Sequence, residues 1–85
     1  DFPAPAIRQG VLLEAQGYAE PALAAYRAAA SMAPGSADSQ FILAFALARA
    51  GQRDAAIAAF EAGLALDPSR SGERATLDEI ISAAP

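Results

Sequence analysis

The sequence predicts an all-α fold, an α-solenoid of helix–turn–helix repeats with about five helices. Similar residues recur 34 positions apart, and apolar residues follow helical spacing with no alternating strand pattern of useful length. The matched pairs are Gly17 and Gly51, Glu20 and Asp54, Ala22 and Ala56, Leu23 and Ile57, Tyr26 and Phe60, Ala28 and Ala62, and Pro34 and Pro68. A fixed period in the range of roughly 20–50 residues indicates stacked repeats and favours binding over catalysis.

Glycine and proline divide the chain into a linker and five helical segments. Residues 1–6 are rich in proline and are predicted to form an incoming linker. The helices are predicted at residues 7–16, 19–33, 37–50, 53–66 and 71–83. Gly17 and Gly51 are expected to end the first and third helices, because glycine readily adopts the left-handed conformation of a helix C-terminus.

Residues at the helix starts support these boundaries. Pro21 falls in the first turn of the second helix, where its missing N–H costs nothing. Ser36 and Ser71 are predicted N-caps of the third and fifth helices, and Asp54 suits the positive end of the fourth. The predicted core stripes are Leu23, Tyr26 and Ala30; Ile57, Phe60 and Leu64; and Leu77, Ile80, Ile81 and Ala84.

Composition restricts the function. The 85 residues form one small domain with 6 Arg, no Lys, 10 Asp plus Glu and a net charge of -4. Scattered arginines in an acidic chain argue against nucleic-acid binding. Without His or Cys, the common metal ligands and the usual activators of a serine nucleophile are missing. The sequence therefore predicts no enzyme activity, no catalytic residue, no cofactor and no metal site.

Cellular context is less well defined. No apolar run reaches the length of a membrane helix, and no signal peptide is recognisable, so we expect a soluble protein without direct membrane insertion. Arginine without lysine, together with abundant alanine, is typical of GC-rich bacterial coding. The compartment, cytoplasmic or periplasmic, is not determined. The chain begins with Asp1, so we expect it to be a piece of a longer protein.

The repeat resembles the tetratricopeptide repeat, a 34-residue helix–turn–helix unit. Its second-helix motif, Ala-x3-Phe followed by Pro, is matched by Ala22, Tyr26 and Pro34, and again by Ala56, Phe60 and Pro68. The first-helix motif is degenerate: Gly10 matches in one copy, and Leu43 with Ala44 in the other. The resemblance implies repeats at residues 7–35 and 36–69 and a capping helix at 70–85. The alternative is an alanine-rich bundle with accidental periodicity.

The resemblance also implies a ligand groove, because the first helix of each repeat lines the concave surface in this family. The corresponding positions are Ile7, Val11 and Glu14, then Phe41, Ile42, Phe45 and Arg49, then Ala75, Thr76 and Glu79 on the capping helix. Apolar residues stand where some members grip a peptide carboxylate with Lys, Arg and Asn, so that binding mode is not expected. Arg49 could pair with an acidic ligand group or be solvated.

The third helix carries more apolar residues than one packing face needs. Gln40, Leu43, Ala44 and Leu47 supply the predicted core face, which leaves Phe41, Ile42 and Phe45 unassigned. One interpretation is an apolar anchor for a peptide or helix. The other is packing against neighbouring repeats outside this sequence, or against the N-terminal linker.

These observations favour a protein–protein interaction module, an adaptor or scaffold that binds an apolar or amphipathic segment. A second hypothesis is self-association or stacking within a larger complex, because fewer than three repeats are marginally stable. A third is an accessory domain of a larger protein. Glu73, Asp78 and Glu79 are interpreted as a solvated acidic surface, since neighbouring helical residues diverge in direction.

Overall fold

The computed structural model describes residues 4–83 and confirms the predicted all-α architecture over that range. Its five α-helices are α1 (Ala4–Ala15), α2 (Ala19–Met32), α3 (Ala37–Arg49), α4 (Arg53–Leu66) and α5 (Arg74–Ala83), with a 3₁₀ helix (Pro68–Glu73) between α4 and α5. Consecutive helices are joined by short turns. Residues 1–3 of the predicted linker, and Ala84 of the predicted fifth stripe, lie outside the described residues.

The turn after α1 and the turn after α3 stand one repeat period apart and are built alike. Gly17 and Gly51 have φ angles of 88° and 82°, which confirms both as helix stops. The N–H of Tyr18 donates to the carbonyl of Leu13 at 2.9 Å, and the equivalent bond from Gln52 to Leu47 is also 2.9 Å. This six-to-one bond with a left-handed glycine is the Schellman ending of a helix. The sequence period is therefore a period of backbone conformation as well.

Two helix starts differ from the sequence prediction. The helix α1 begins at Ala4 rather than Ile7, because Pro5 lies in its first turn, where a proline without an N–H is tolerated. The fifth helix begins at Arg74 instead of residue 71. Ser71, predicted as its N-cap, lies inside the 3₁₀ helix.

The 3₁₀ helix begins at the proline that was predicted only to break the chain. The carboxylate of Asp67 accepts hydrogen bonds from the Ser69 backbone N–H at 3.2 Å and from its hydroxyl at 2.6 Å. Pro68 follows this cap at the first position of the helix, where its fixed φ is favourable. The segment therefore folds into a short helix of its own before α5 starts. By contrast, Ser36 caps α3 as predicted, accepting from the Ser39 N–H at 3.3 Å.

The core lies between the helix pairs α1–α2 and α3–α4, with α2 against α3 and α5 against α3. Its largest buried side chains are Leu23, Tyr26, Phe41, Phe60 and Leu77. Buried alanines from α2, α3 and α4 let the helix backbones approach closely: Ala22, Ala29, Ala30, Ala44, Ala46, Ala48, Ala56 and Ala59. The predicted stripes of α2 and α4 thus face this core, with Ile57 and Leu64 at its partly buried margin.

Two glycines make room for aromatic rings. A Cβ atom on Gly10 would lie 2.7 Å from the Tyr26 ring, and one on Gly63 would lie 2.7 Å from the Phe41 ring. Both distances are too short for real contacts, so each ring occupies the space that a side chain would take. Gly10, which matches the first-helix motif, therefore lets α2 pack closely against α1. The Gly63 contact was not predicted.

Candidate partner-binding surface

Six of the seven predicted binding residues lie on α1 and α3 with side chains that are not fully buried, and we call this set the α1–α3 face: Ile7, Val11, Glu14, Ile42, Phe45 and Arg49. On α1 the three residues stand at i, i+4 and i+7, and on α3 at i, i+3 and i+7, so each set shares a helix side. An ion pair between Glu14 and Arg49 joins the two sets at one end. The ion pair brings Glu14 and Arg49 together, and helical spacing places the other four residues on the same sides of α1 and α3.

Exposure differs across the α1–α3 face. Val11 is 55% exposed, while Ile7, Ile42 and Phe45 are half-buried and pack against the edge of the core. Phe45 meets Phe60 edge-on, with ring centroids 6.2 Å apart. The core therefore holds Ile7, Ile42 and Phe45 in place, whereas Val11 is the most exposed apolar residue of the face.

The structure corrects the prediction for Phe41, the seventh predicted binding residue. It is 1% exposed and offers no surface to a partner. Its ring lies 5.2 Å from that of Phe60, and the space left by Gly63 accepts its edge. On the other side, the guanidinium carbon of Arg70 lies 4.4 Å from the ring centroid, a cation–π contact.

The physical reason is that α3 packs on more than one side. The sequence assigned a single core face to this helix, but α2, α4 and α5 all contact it. Phe41 is covered by α4 and by the 3₁₀ helix. Neither outside repeats nor the N-terminal linker, the alternatives considered from sequence, is needed to bury it.

A polar network closes one end of the α1–α3 face. The Arg49 guanidinium donates to both Glu14 carboxylate oxygens, at 2.6 and 2.9 Å, and the Tyr26 hydroxyl donates to Glu14 at 3.1 Å. Arg49 thus pairs within the chain, although a ligand acid group was considered from sequence. A two-bond guanidinium–carboxylate pair fixes geometry as well as charge. It ties α1 to α3 and so holds the two halves of the face in register.

The network shifts the titration of its members. Hydrogen bonding from Arg49 lowers the pKa of Glu14 below its ordinary value of 4.5, against an opposing effect of partial burial. The same hydrogen bonds raise the pKa of Arg49. Burial, followed by the hydrogen bond to the Glu14 carboxylate, raises the pKa of Tyr26. The three groups therefore remain carboxylate, guanidinium and neutral phenol at neutral pH.

We expect the Glu14 contribution to stability to depend on pH. Because the folded-state pKa is lowered, the contribution is present above about pH 4.5 and is lost as pH falls through the folded-state value. Glu14→Gln should cost about 1 kcal/mol at neutral pH, a figure discounted for the solvent exposure of Arg49, and less near pH 3. Urea unfolding at the two pH values measures the difference.

The matched control is Glu61→Gln, which changes an exposed carboxylate on α4. Its effect should be small at both pH values. If Glu14→Gln and Glu61→Gln had the same pH dependence, the network would not be the source of the effect.

A cleft of about 180 Å³ opens beside this network. Apolar atoms from α2 and the end of α3 line it together with the polar groups: Glu14, Gly17, Ala19, Ala22, Leu23, Tyr26, Ala46, Arg49 and Ala50. It lies where α2 meets α3, so it marks the junction of the two helix pairs.

The capping-helix positions Ala75, Thr76 and Glu79 are exposed on α5. Glu73 and Asp78, predicted to be solvated, form ion pairs with Arg70 and Arg74. Within residues 4–83, no group of three or more His, Cys, Asp or Glu side chains could hold a metal ion. In the same range, no helix combines the length and apolar character needed to cross a membrane.

Comparison with protein families identifies the second helix pair. The family model described as Tetratricopeptide repeat matches residues 37–70, which comprise α3, α4 and the start of the 3₁₀ helix. This segment is a tetratricopeptide repeat. Comparisons with curated proteins and with solved structures found no match.

Tetratricopeptide repeats generally mediate protein–protein interactions and are typically non-catalytic. In this chain the matched segment begins directly after the Ser36 cap and includes Phe41, Phe60, Gly63 and Arg70. The unit recognised by the family model therefore contains the aromatic cluster beneath the α1–α3 face.

Three contacts at this surface escaped the sequence analysis. Gly63 seats the Phe41 ring, Arg70 covers it, and the Tyr26 hydroxyl joins the Glu14 network. The repeat offset carried a signal for the first: Gly63 and Phe41 correspond to Ala29 and Ile7, so the larger residue stands opposite the smaller one. Nothing in the repeat offset indicates the Arg70 contacts, because the residues that Arg70 contacts on α3 are distant in sequence.

Proposed function

We propose that this protein is an interaction module, an adaptor or scaffold, whose α1–α3 face binds an apolar or amphipathic segment of a protein partner. The observation that carries the proposal is the exposure of Val11 beside half-buried Ile7, Ile42 and Phe45. We call these four residues the apolar strip; the core supports three of them, Ile7, Ile42 and Phe45.

The chemistry of the strip indicates what the partner segment offers. The side chains of the strip are aliphatic and aromatic. An amphipathic helix or an extended apolar segment could bury its own apolar side chains against them. The Glu14–Arg49 pair presents both charges at one end, already satisfied by each other. A ligand carboxylate would have to compete with Glu14 for Arg49, so charge supplies orientation and apolar contact supplies affinity.

Two exposed residues on α1 allow a matched test. Val11 is 55% exposed on the α1–α3 face, and its neighbour Leu12 is 58% exposed on a different side of the helix. Helical peptides selected from a displayed library against the wild-type chain supply defined ligands. We expect Val11→Glu to weaken their binding at least about tenfold, the cost of placing a charge in an apolar contact, while Leu12→Glu leaves it unchanged.

Binding is measured by fluorescence anisotropy, with circular dichroism confirming that both variants stay folded. If the selected peptides bind Val11→Glu as well as wild type, the α1–α3 face is not their site.

A second candidate, stacking against another copy or a larger complex, rests on Leu12 itself. Its equivalent in the next repeat, Ala46, is 2% exposed and lines the junction with α2. Stacking would cover Leu12 as α2 covers Ala46. Sedimentation over a concentration series separates the candidates: self-association abolished by Leu12→Glu, but not by Val11→Glu, supports stacking.

A further inference from the structure

The 3₁₀ helix and α5 together form a segment, residues 68–83, that covers Phe41. By the repeat offset, Phe41 corresponds to Ile7, a partly accessible residue of the α1–α3 face. Phe41 would extend that apolar strip along α3 if its outer side were free. What lies over it is the guanidinium of Arg70, 4.4 Å from the ring centroid.

This segment is held by few buried contacts. The 3₁₀ helix buries no residue, and α5 buries only Leu77, with Ile80 and Ile81 partly covered. By comparison, α3 buries six residues and α4 four. Regions with little buried apolar contact open more readily than the core. Release of the segment therefore costs the fold less than release of α3 or α4.

Arg70 is the polar link between the segment and α3. It bonds to Glu73 within the 3₁₀ helix, at 2.5 and 3.2 Å, and to Asp38 in the first turn of α3. Among these side-chain contacts, those with Asp38 and Phe41 join the segment to α3. The Arg70 and Asp38 side chains are partly exposed to solvent. The attraction between them is therefore moderate and weakens as ionic strength rises.

We infer that residues 68–83 act as a hinged cover, latched by Arg70, that opens independently of the core and exposes Phe41. The cover has the same amphipathic helical pattern as the proposed ligand. Its Leu77, Ile80 and Ile81 stand at i, i+3 and i+4, the anchor spacing of an amphipathic helix in an apolar groove. A partner helix of that pattern would displace α5 from α3; this last step rests on the proposed function, whereas opening itself does not.

Amide hydrogen exchange on the complete chain tests the opening without any partner. In the wild type, α5 amides should exchange faster than amides in the middle of α3 and α4. Arg70→Gln should accelerate exchange in α5 about tenfold, the effect expected from losing one exposed ion pair and one cation–π contact. The α3 and α4 amides should change by less than about twofold.

Arg74→Gln is the matched control, because Arg74 pairs with Asp78 inside α5 and leaves the contact with α3 intact. It should accelerate α5 exchange far less than Arg70→Gln. Leu77→Ala removes the buried anchor and should accelerate α5 more than Arg70→Gln does. The inference is overturned if α5 exchanges at the core rate in the wild type, or if Arg70→Gln or Leu77→Ala accelerates α3, α4 and α5 equally. Those results would leave the α1–α3 face proposal standing.

Discussion

Phe41→Ala is expected to lower the free energy of unfolding by about 3–5 kcal/mol, the cost of truncating a fully buried phenylalanine. The ring is 1% exposed and contacts Phe60, Gly63 and Arg70. Its removal therefore leaves a cavity lined by these three residues. Small domains are stable by only about 5–15 kcal/mol, so this is a large fraction of the total. Chemical denaturation followed by circular dichroism measures the change.

Phe45→Ala is the comparison within the same helix. Its ring is half-buried and meets Phe60 at its edge, so the expected loss is about 1 kcal/mol. A loss of binding in Phe41→Ala would therefore report unfolding before it reported a missing ligand contact. Equal and small effects of the two substitutions would mean that Phe41 does not belong to the core.

Gly63→Ala is expected to destabilise the fold by up to about 2 kcal/mol, although alanine is the better helix former. The added Cβ would lie 2.7 Å from the Phe41 ring, and overpacking of a closed core costs about 1–3 kcal/mol. The gain in helix propensity, about 1 kcal/mol, offsets part of this cost. Gly35→Ala is the control, because no heavy atom lies within 4 Å of its new Cβ.

A double variant tests the mechanism. Gly63→Ala with Phe41→Ile recreates the pair found at the equivalent positions of the first repeat, Ala29 and Ile7. If the clash is the cause, the double variant loses less stability than the sum of the two single variants, as measured by a double-mutant cycle. Strict additivity would show that Phe41 and Gly63 do not compete for the same space.

The sequence predicted the local structure well because local signals decide it. Gly17 and Gly51 end helices in the left-handed conformation, Ser36 caps α3, and the stripe of Tyr26 and its neighbours faces the core. The prediction was wrong at two helix starts. Pro5 was interpreted as part of a linker, whereas it lies in the first turn of α1, where proline is tolerated. Pro68 was interpreted as a break, whereas it begins a 3₁₀ helix that occupies the predicted start of α5.

The candidate surface was predicted less completely, and Phe41 shows why. A repeat register assigns one packing face to each helix, yet the burial of a residue depends on every helix that reaches it. Gly63 lies on α4 and Arg70 in the 3₁₀ helix, and no periodicity in α3 reports either of them. On α1, Val11 remains 55% exposed, and its role in binding stays a prediction.

By itself, the sequence determined the helices, their turns, the repeat register and the family, because these depend on backbone preferences and spacing within each segment. Only the tertiary structure decided which apolar residues stay accessible. Exposure is a property of all the surrounding chain: Phe60, Gly63 and Arg70 converge on Phe41 and close it, while Val11 remains open. The same convergence turns one predicted binding residue, Phe41, into a core residue.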